Sequence, residues 1–296
     1  MKNKLKYTIL TSMTALLLLF SGCSIPGMGG DDKESGFSIG GGSSSKAGNG
    51  VSLVFDENNP PSEMIKGQPV NFGFIFTNYQ EHEIKDMKVR TSGYDTGYVK
   101  GLNKDYSIGT LPKATPQTGP GFFTGFQMSG IKVDGFSQQY SFNPKIDYCY
   151  TATSTYTKQI CVPSKKNSCD VSVENYESQN GPLSVSIDRI TGFDNKIRID
   201  FKISNSIGGD VVNQCFNTDD YTNAYTKPVV KLGSTTGSCQ AVSGENIVNG
   251  KSNFYCEFSR SGGEESYASQ VVVQFNYKYQ QSIKKNIIVK DLDNGY

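Results

Sequence analysis

The stretch Val70-Asn71-Phe72-Gly73-Phe74-Ile75-Phe76-Thr77-Asn78 sets Val70, Phe72, Phe74 and Phe76 at every second position, and Ile197-Arg198-Ile199-Asp200-Phe201-Lys202-Ile203-Ser204-Asn205 repeats that alternation. A period of two sends successive side chains to opposite faces, so both stretches read as half-buried β-strands. Each position of the second lies 127 residues after its counterpart, with Asn205 matching Asn78 and Asp210-Val211 matching Glu83-Ile84 after an equal gap. Agreement of alternation, turn residue and gap length indicates a duplicated unit of strand, Asn-led turn and strand.

Outward from these strands, Val51 to Phe55 precedes the first copy, and Leu183, Val185 and Ile187 precede the second. Tyr140–Tyr150 and Tyr156–Val162 predict a closing hairpin that turns near Ser154; Val271–Tyr279 and Ile283–Val289 predict another. No helical stripe follows the first 23 residues, and short alternating strands separated by Gly, Pro, Asn and Asp indicate an all-β chain. The expected organisation is two tandem β-sandwich domains, 51–165 and 166–296, with Pro163 to Ser168 as a polar joint.

Composition narrows the function classes. Of 296 residues, 29 are Lys or Arg and 28 are Asp or Glu, a balance that offers no field for nucleic acid or an anionic membrane surface. One histidine and no tryptophan remove the material for a His-based metal site or a Ser-His-Asp triad. No Gly-x-Ser-x-Gly or His-Glu-x-x-His occurs, so no enzymatic activity and no cofactor are expected. Asp219 with Asp220, and the Asp291-Leu292-Asp293-Asn294-Gly295 end, offer calcium-type oxygens, with solvated loops as the simpler account. His82, between Glu81 and Glu83, reads as solvated.

Lys2, Lys4 and Lys6 followed by the apolar run Tyr7–Phe20 have the layout of an export signal over 1–22. That run falls short of the ~20 residues of a membrane-spanning helix, which makes a retained anchor the alternative. Ser21-Gly22-Cys23 resembles the lipobox of prokaryotic lipoproteins, with Phe20 where that family usually has Leu. The resemblance implies a lipid on Cys23 as the mature N-terminus; an ordinary signal peptide cut nearby is the other reading. Residues 23–50 are rich in Gly and Ser, a tether with a mean reach of roughly 30 Å.

Gly67-Gln68-Pro69-Val70 with the strand ending at Asn78 resembles immunoglobulin-like modules of prokaryotic surface proteins, including cell-adhesion-related and surface-layer-associated domains, and Ser204 to Asp210 is similar. The resemblance implies two immunoglobulin-like sandwiches in which Asn78, Asn205, Gly208 and Gly209 shape turns between core strands. The whole chain resembles small envelope lipoproteins of archaeal type. That implies a secreted protein anchored on the outer face of the cytoplasmic membrane or at the cell surface, acting in adhesion or envelope scaffolding. Its partners would be the membrane, through Cys23, and other envelope proteins or glycans. The alternative is a solute- or glycan-binding lipoprotein.

Without Cys23, six of the seven cysteines remain, an even set suited to an oxidising compartment. Six cysteines allow 15 pairings; adjacency around turns suggests Cys149 with Cys161, Cys239 with Cys256, and Cys169 with Cys215. Zinc is the rival, but no Cys-x-x-Cys spacing occurs. The aromatic loops carry the remaining candidates: Tyr94, Tyr98 and Tyr106 in one Gly-rich region, and Phe122, Phe123 and Phe126 in a second. Exposed aromatics beside flexible glycines suit a binding surface. For the three phenylalanines the core of a domain with short strands is the favoured reading over a binding surface, and Tyr94 and Tyr98 suit either role equally. Replacing Cys23 by Ala is expected to release the protein from the membrane fraction, whereas retention there would make the signal segment itself the anchor.

Overall fold

Alternation becomes burial in both copies: Phe72, Phe74 and Phe76 of the first strand, and Ile197, Ile199, Phe201 and Ile203 of the second, are all buried. Full burial of such side chains contributes about 1.5 to 3 kcal/mol each, enough to fix which face turns inward. The computed structural model describes residues 50–117, 119–137, 139–193, 195–205, 207–217, 227–242, 251–260 and 263–292, with backbone alone at 122–125. Cys23, the signal and tether, Asp219, Asp220, Asp293 to Gly295, and the Phe122 and Phe123 side chains lie outside the described residues.

In chain order the first half forms β1 (Val51–Phe55), β2 (Glu63–Ile65), β3 (Val70–Asn78), β4 (Met87–Ser92), β5 (Val99–Lys100), β6 (Asp105–Ile108), β7 (Gly121–Val133), β8 (Tyr140–Phe142) and β9 (Lys145–Val162). The second half forms β10 (Glu177–Asn180), β11 (Leu183–Gly192), β12 (Lys196–Asn205), β13 (Asp210–Val212), β14 (Val229–Leu232), β15 (Thr235–Thr236), β16 (Ser238–Ala241), β17 (Lys251–Ser259), β18 (Tyr267–Lys284) and β19 (Ile287–Lys290). Among the described residues no helix is long and apolar enough to cross a membrane.

Each half contributes a four-stranded sheet, β1-β3-β7-β5 and β11-β12-β17-β16. Both halves share an eight-stranded sheet, whose path β15-β14-β18-β9-β4-β6 carries β10 on β9 and β13 on β18. A three-stranded sheet, β2-β19-β8, brings the last strand of the chain back onto the first half. The chain is therefore all-β with multiple antiparallel sheets. The longest ladder joins the two halves: β9 and β18 pair over 18 positions, from Lys145 opposite Lys284 to Val162 opposite Tyr267.

That ladder corrects both expected closing hairpins. Residues 145–162 run straight through Ser154 as one strand, and β19 pairs with β2 and β8 instead of folding back on β18. Ser154 suits a strand interior because its Oγ lies 2.6 Å from the Tyr277 hydroxyl and accepts the Leu183 N–H, so burial leaves no orphaned polar group.

The duplication reappears in hydrogen bonds. Asn78 Nδ2 donates to His82 O and its Oδ1 accepts the Gln80 N–H; Asn205 Nδ2 donates to Gly209 O and its Oδ1 accepts the Ile207 N–H. These two bonds of each Asn keep the sequence offset of the repeat. Gly208 (φ 70°) and Gly209 (φ 127°) complete the second turn, and a Cβ on Gly209 would come 2.6 Å from Gln281 Cγ. Tyrosines repeat as well. The Val51 N–H donates to the Tyr150 hydroxyl at 3.0 Å, and the Leu183 N–H donates to that of Tyr277 at 3.0 Å. In each half, a phenol on the long strand caps the first residue of the opening strand.

Disulfides staple this frame. Cys239 bonds Cys256 directly opposite it on β16 and β17, as the turn suggested. The other two pairings are corrected to Cys149–Cys215 and Cys161–Cys169. Cys149 and Cys161 sit on one extended strand, roughly 40 Å apart at the rise of a β-strand, far beyond the ~7 Å that a disulfide tolerates between Cα atoms. Cys149–Cys215 spans 66 residues and joins the two halves, a closure that contributes about 4 kcal/mol through the unfolded chain. Three disulfides suggest an extracellular or otherwise oxidising compartment.

Burial is the first cause that raises the pKa of the Tyr148, Tyr150, Tyr277 and Tyr279 phenols above the ordinary 10.0. The unfolded chain therefore loses these protons first as pH rises. Stability is full below about pH 10 and declines above it toward the folded-state values. In an alkaline titration, the tyrosinate absorbance of this set is expected to appear together with loss of the far-ultraviolet β signal. Titration of these phenols near pH 10 in a chain that keeps its β signal would show that they are not buried as described.

Candidate functional site

An open depression of about 450 Å³ lies at the end of the shared sheet. Three local features build it. The turn after β4 supplies Tyr94 and Asp95, β8 supplies Tyr140 and Phe142, and the paired termini of β9 and β18 supply Lys145 and Lys284. Tyr140 and Phe142 share one side of β8 because they are two residues apart, and their rings stack at 5.9 Å and 19°. Pairing of β8 with β19, Val289 opposite Tyr140 and Ile287 opposite Phe142, fixes that side.

The wall is anchored. The Tyr94 hydroxyl lies 2.9 Å from Thr91 Oγ1, and the Tyr140 ring is flanked by Tyr98 at 5.3 Å and Phe136 at 5.6 Å. On the cationic side, Lys145 Nζ lies 2.7 Å from Asp147 Oδ1. Lys284 is exposed and has no carboxylate partner among the described residues. Asp95 accepts the Gly97 N–H at 2.7 Å, which engages one of its oxygens in the local turn.

The candidate aromatic residues divide between the depression and the core. Tyr94 reaches the depression directly and Tyr98 supports it through Tyr140, both half-buried against the core. Tyr106 turns away: its ring meets Phe126 edge-on at 5.3 Å, its hydroxyl accepts the Asn103 N–H, and burial raises its pKa. Phe126 packs on Phe74 at 5.4 Å and Phe76 at 6.2 Å, which places it with the core of the first half. Phe126 thus takes the core role that its sequence context favoured. His82, expected in solvent, is half-buried and its carbonyl is held by Asn78.

Tyr140, Phe142, Lys145 and Lys284 were not singled out from the sequence. Tyr140-Ser141-Phe142 carries a period-two signal, but the lysines meet only because two distant strands pair to their ends. Among the described residues no cluster of three or more His, Cys, Asp or Glu side chains has the arrangement of a metal site. The chemistry available is stacking, hydrogen bonding and attraction of an anion.

No family model and no curated protein matches the chain. Among solved structures it is similar to the envelope protein VP37 of White Spot Syndrome Virus, at 11% identity and a TM-score of 0.27, over 44% of this chain and 97% of that one. The chain is an all-β, disulfide-bonded protein with distant structural similarity to that viral envelope protein. The packing of Phe126 leads to a stability test. Phe126→Ala is expected to cost about 3 kcal/mol in urea unfolding. Tyr94→Phe, which deletes the hydroxyl's bonds to Thr91 and to the Leu102 carbonyl, should cost about 1 kcal/mol. The reverse order would remove Phe126 from the core.

Proposed function

We propose that this is an exported, non-enzymatic protein of the cell envelope, carried on a lipid at Cys23 and a flexible tether, whose immunoglobulin-like halves serve adhesion or envelope scaffolding. The observation that carries the reading is the depression at the end of the β9–β18 ladder. Its rings and cations stand on paired strands braced by a disulfide at Cys149, four residues from Lys145. A contact face on a rigid sheet loses little conformational entropy on binding, which suits a protein that must hold a partner under mechanical load. The three disulfides support a location outside the reducing cytoplasm. A tether of residues 23–50 would give the face freedom to search for partners near the membrane. The second reading, a glycan- or solute-binding lipoprotein, is favoured by the pairing of aromatic rings with lysines in one depression.

Amine-reactive cross-linking of intact cells, followed by peptide mass spectrometry, tests the scaffolding reading. Links through Lys145 and Lys284 to other envelope proteins are the expected result. Links confined to lysines remote from the depression, such as Lys196 and Lys231, would overturn the assignment of the contact face.

A further inference from the structure

The β9–β18 ladder places Lys145 directly opposite Lys284 at its last pair. Like charges opposed across an antiparallel pair are destabilising, and nothing in the fold requires this one. The repeat shows as much. Moving each lysine by the 127-residue offset leads to Val272 and Thr157, which also face each other across the same ladder. The corresponding pair, sixth from the other end of the ladder, is uncharged. Lys145 is neutralised by Asp147 at 2.7 Å, and Lys284 retains its charge at the rim. Beside it stand the half-buried Tyr94 and Tyr140 rings, with the buried Phe142 ring stacked on Tyr140.

Resting on the reading of this depression as a contact face, we infer that it binds an acidic sugar unit of a polysaccharide, with the ring face against the aromatic wall and the carboxylate at Lys284. Apolar C–H faces of a pyranose stack on aromatic rings, and an ammonium at the rim gives a charge-assisted bond to a sugar carboxylate. A volume of about 450 Å³ lies within the range of small-ligand sites and leaves the chain ends of a polymer free through the open side. An acidic peptide would satisfy Lys284 but would leave the aromatic wall without a matching face. A neutral glycan would use the wall but leave the Lys284 charge uncompensated.

The test is calorimetric titration of the full-length protein with tetragalacturonate, its neutral galactose counterpart and a short poly-glutamate. The uronate is expected to bind, to weaken with added salt, and to bind Lys284→Gln about ten-fold less tightly, while the remote Lys231→Gln behaves as wild type. The neutral oligomer and poly-glutamate are both expected to bind at least about ten-fold more weakly than the uronate. No binding of the uronate, equal binding of the neutral oligomer, equal binding of poly-glutamate, or an unchanged Lys284→Gln would each overturn the inference. Failure here with cross-links still passing through Lys145 and Lys284 would remove the ligand class and leave the envelope contact standing. Loss of both would remove the contact face itself.

Discussion

The pairing of β9 with β18 is the constraint on which the other elements depend. Eighteen consecutive positions in register make a ribbon roughly 60 Å long, and both four-stranded sheets pack their apolar faces toward it. One face of the ribbon is lined from the first half by Ile146, Tyr148, Tyr150, Ala152 and Tyr156, and from the second by Val271, Val273, Phe275, Tyr277 and Tyr279. A one-residue slip would turn all of these outward and bring Cys149, Thr151 and Thr153 to the core. The register is therefore set by burial on one side, and the Cys149–Cys215 bond holds it from the other.

Tyrosine is prominent along this seam, where phenylalanine would bury more cheaply, and the hydrogen bonds explain the choice. The opening strands β1 and β11 begin at the seam, so their first N–H groups are buried there without a neighbouring strand to receive them. Tyr150 and Tyr277 supply acceptors at those points, Tyr148 donates to Gln281 at 2.7 Å, and Tyr279 donates to Asn205 at 2.8 Å. Inside the four-stranded sheets, where ladders satisfy the backbone, Phe74, Phe76, Phe201 and Phe258 are used instead. The hydroxyls of Tyr148, Tyr150, Tyr277 and Tyr279 each meet a specific backbone or side-chain group, which couples the closing strand of each half to its opening strand.

Local signals in the sequence revealed what local physics determines. Alternation in Val70–Asn78 and Ile197–Asn205 located β3 and β12, and the Asn78 and Asn205 turns followed from the same offset. The adjacent pair Cys239 and Cys256 was readable because a short turn-rich stretch separates the two. What escaped was set by distance along the chain. Ser154 sits in a Thr- and Ser-rich run that reads locally as a turn, and its pairing with Phe275 in the ladder together with its bonds to Tyr277 and Leu183 keeps it in a strand. Cys149 and Cys215 meet because the segment after β13 crosses the shared sheet. The depression shows the same limit: Tyr94 was readable as an aromatic in a Gly-rich loop, whereas Lys145 and Lys284 are 139 positions apart and meet through the ladder alone.

The two halves share a frame but are joined asymmetrically, and the joint explains why one end of the ladder is free to carry a site. Beyond β13, Phe216 adopts a left-handed backbone (φ 62°), donates its N–H to Gln280 Oε1 at 2.8 Å, and receives a bond from Arg90 through its carbonyl. The Arg90 guanidinium also lies over the Phe216 ring at 4.6 Å and holds the Asp105 carboxylate at 2.6 Å, which lowers the pKa of Asp105. Together with the adjacent Cys149–Cys215 bond, these contacts latch a segment of the second half onto β4 and β9 of the first. A latch of this kind fixes the register four residues from Lys145, so the terminal pair of the ladder can tolerate opposed charges without fraying. Asp147, 2.7 Å from Lys145 Nζ, offsets one of the two charges, so the ladder keeps its register to the last pair with Lys284 exposed beside it.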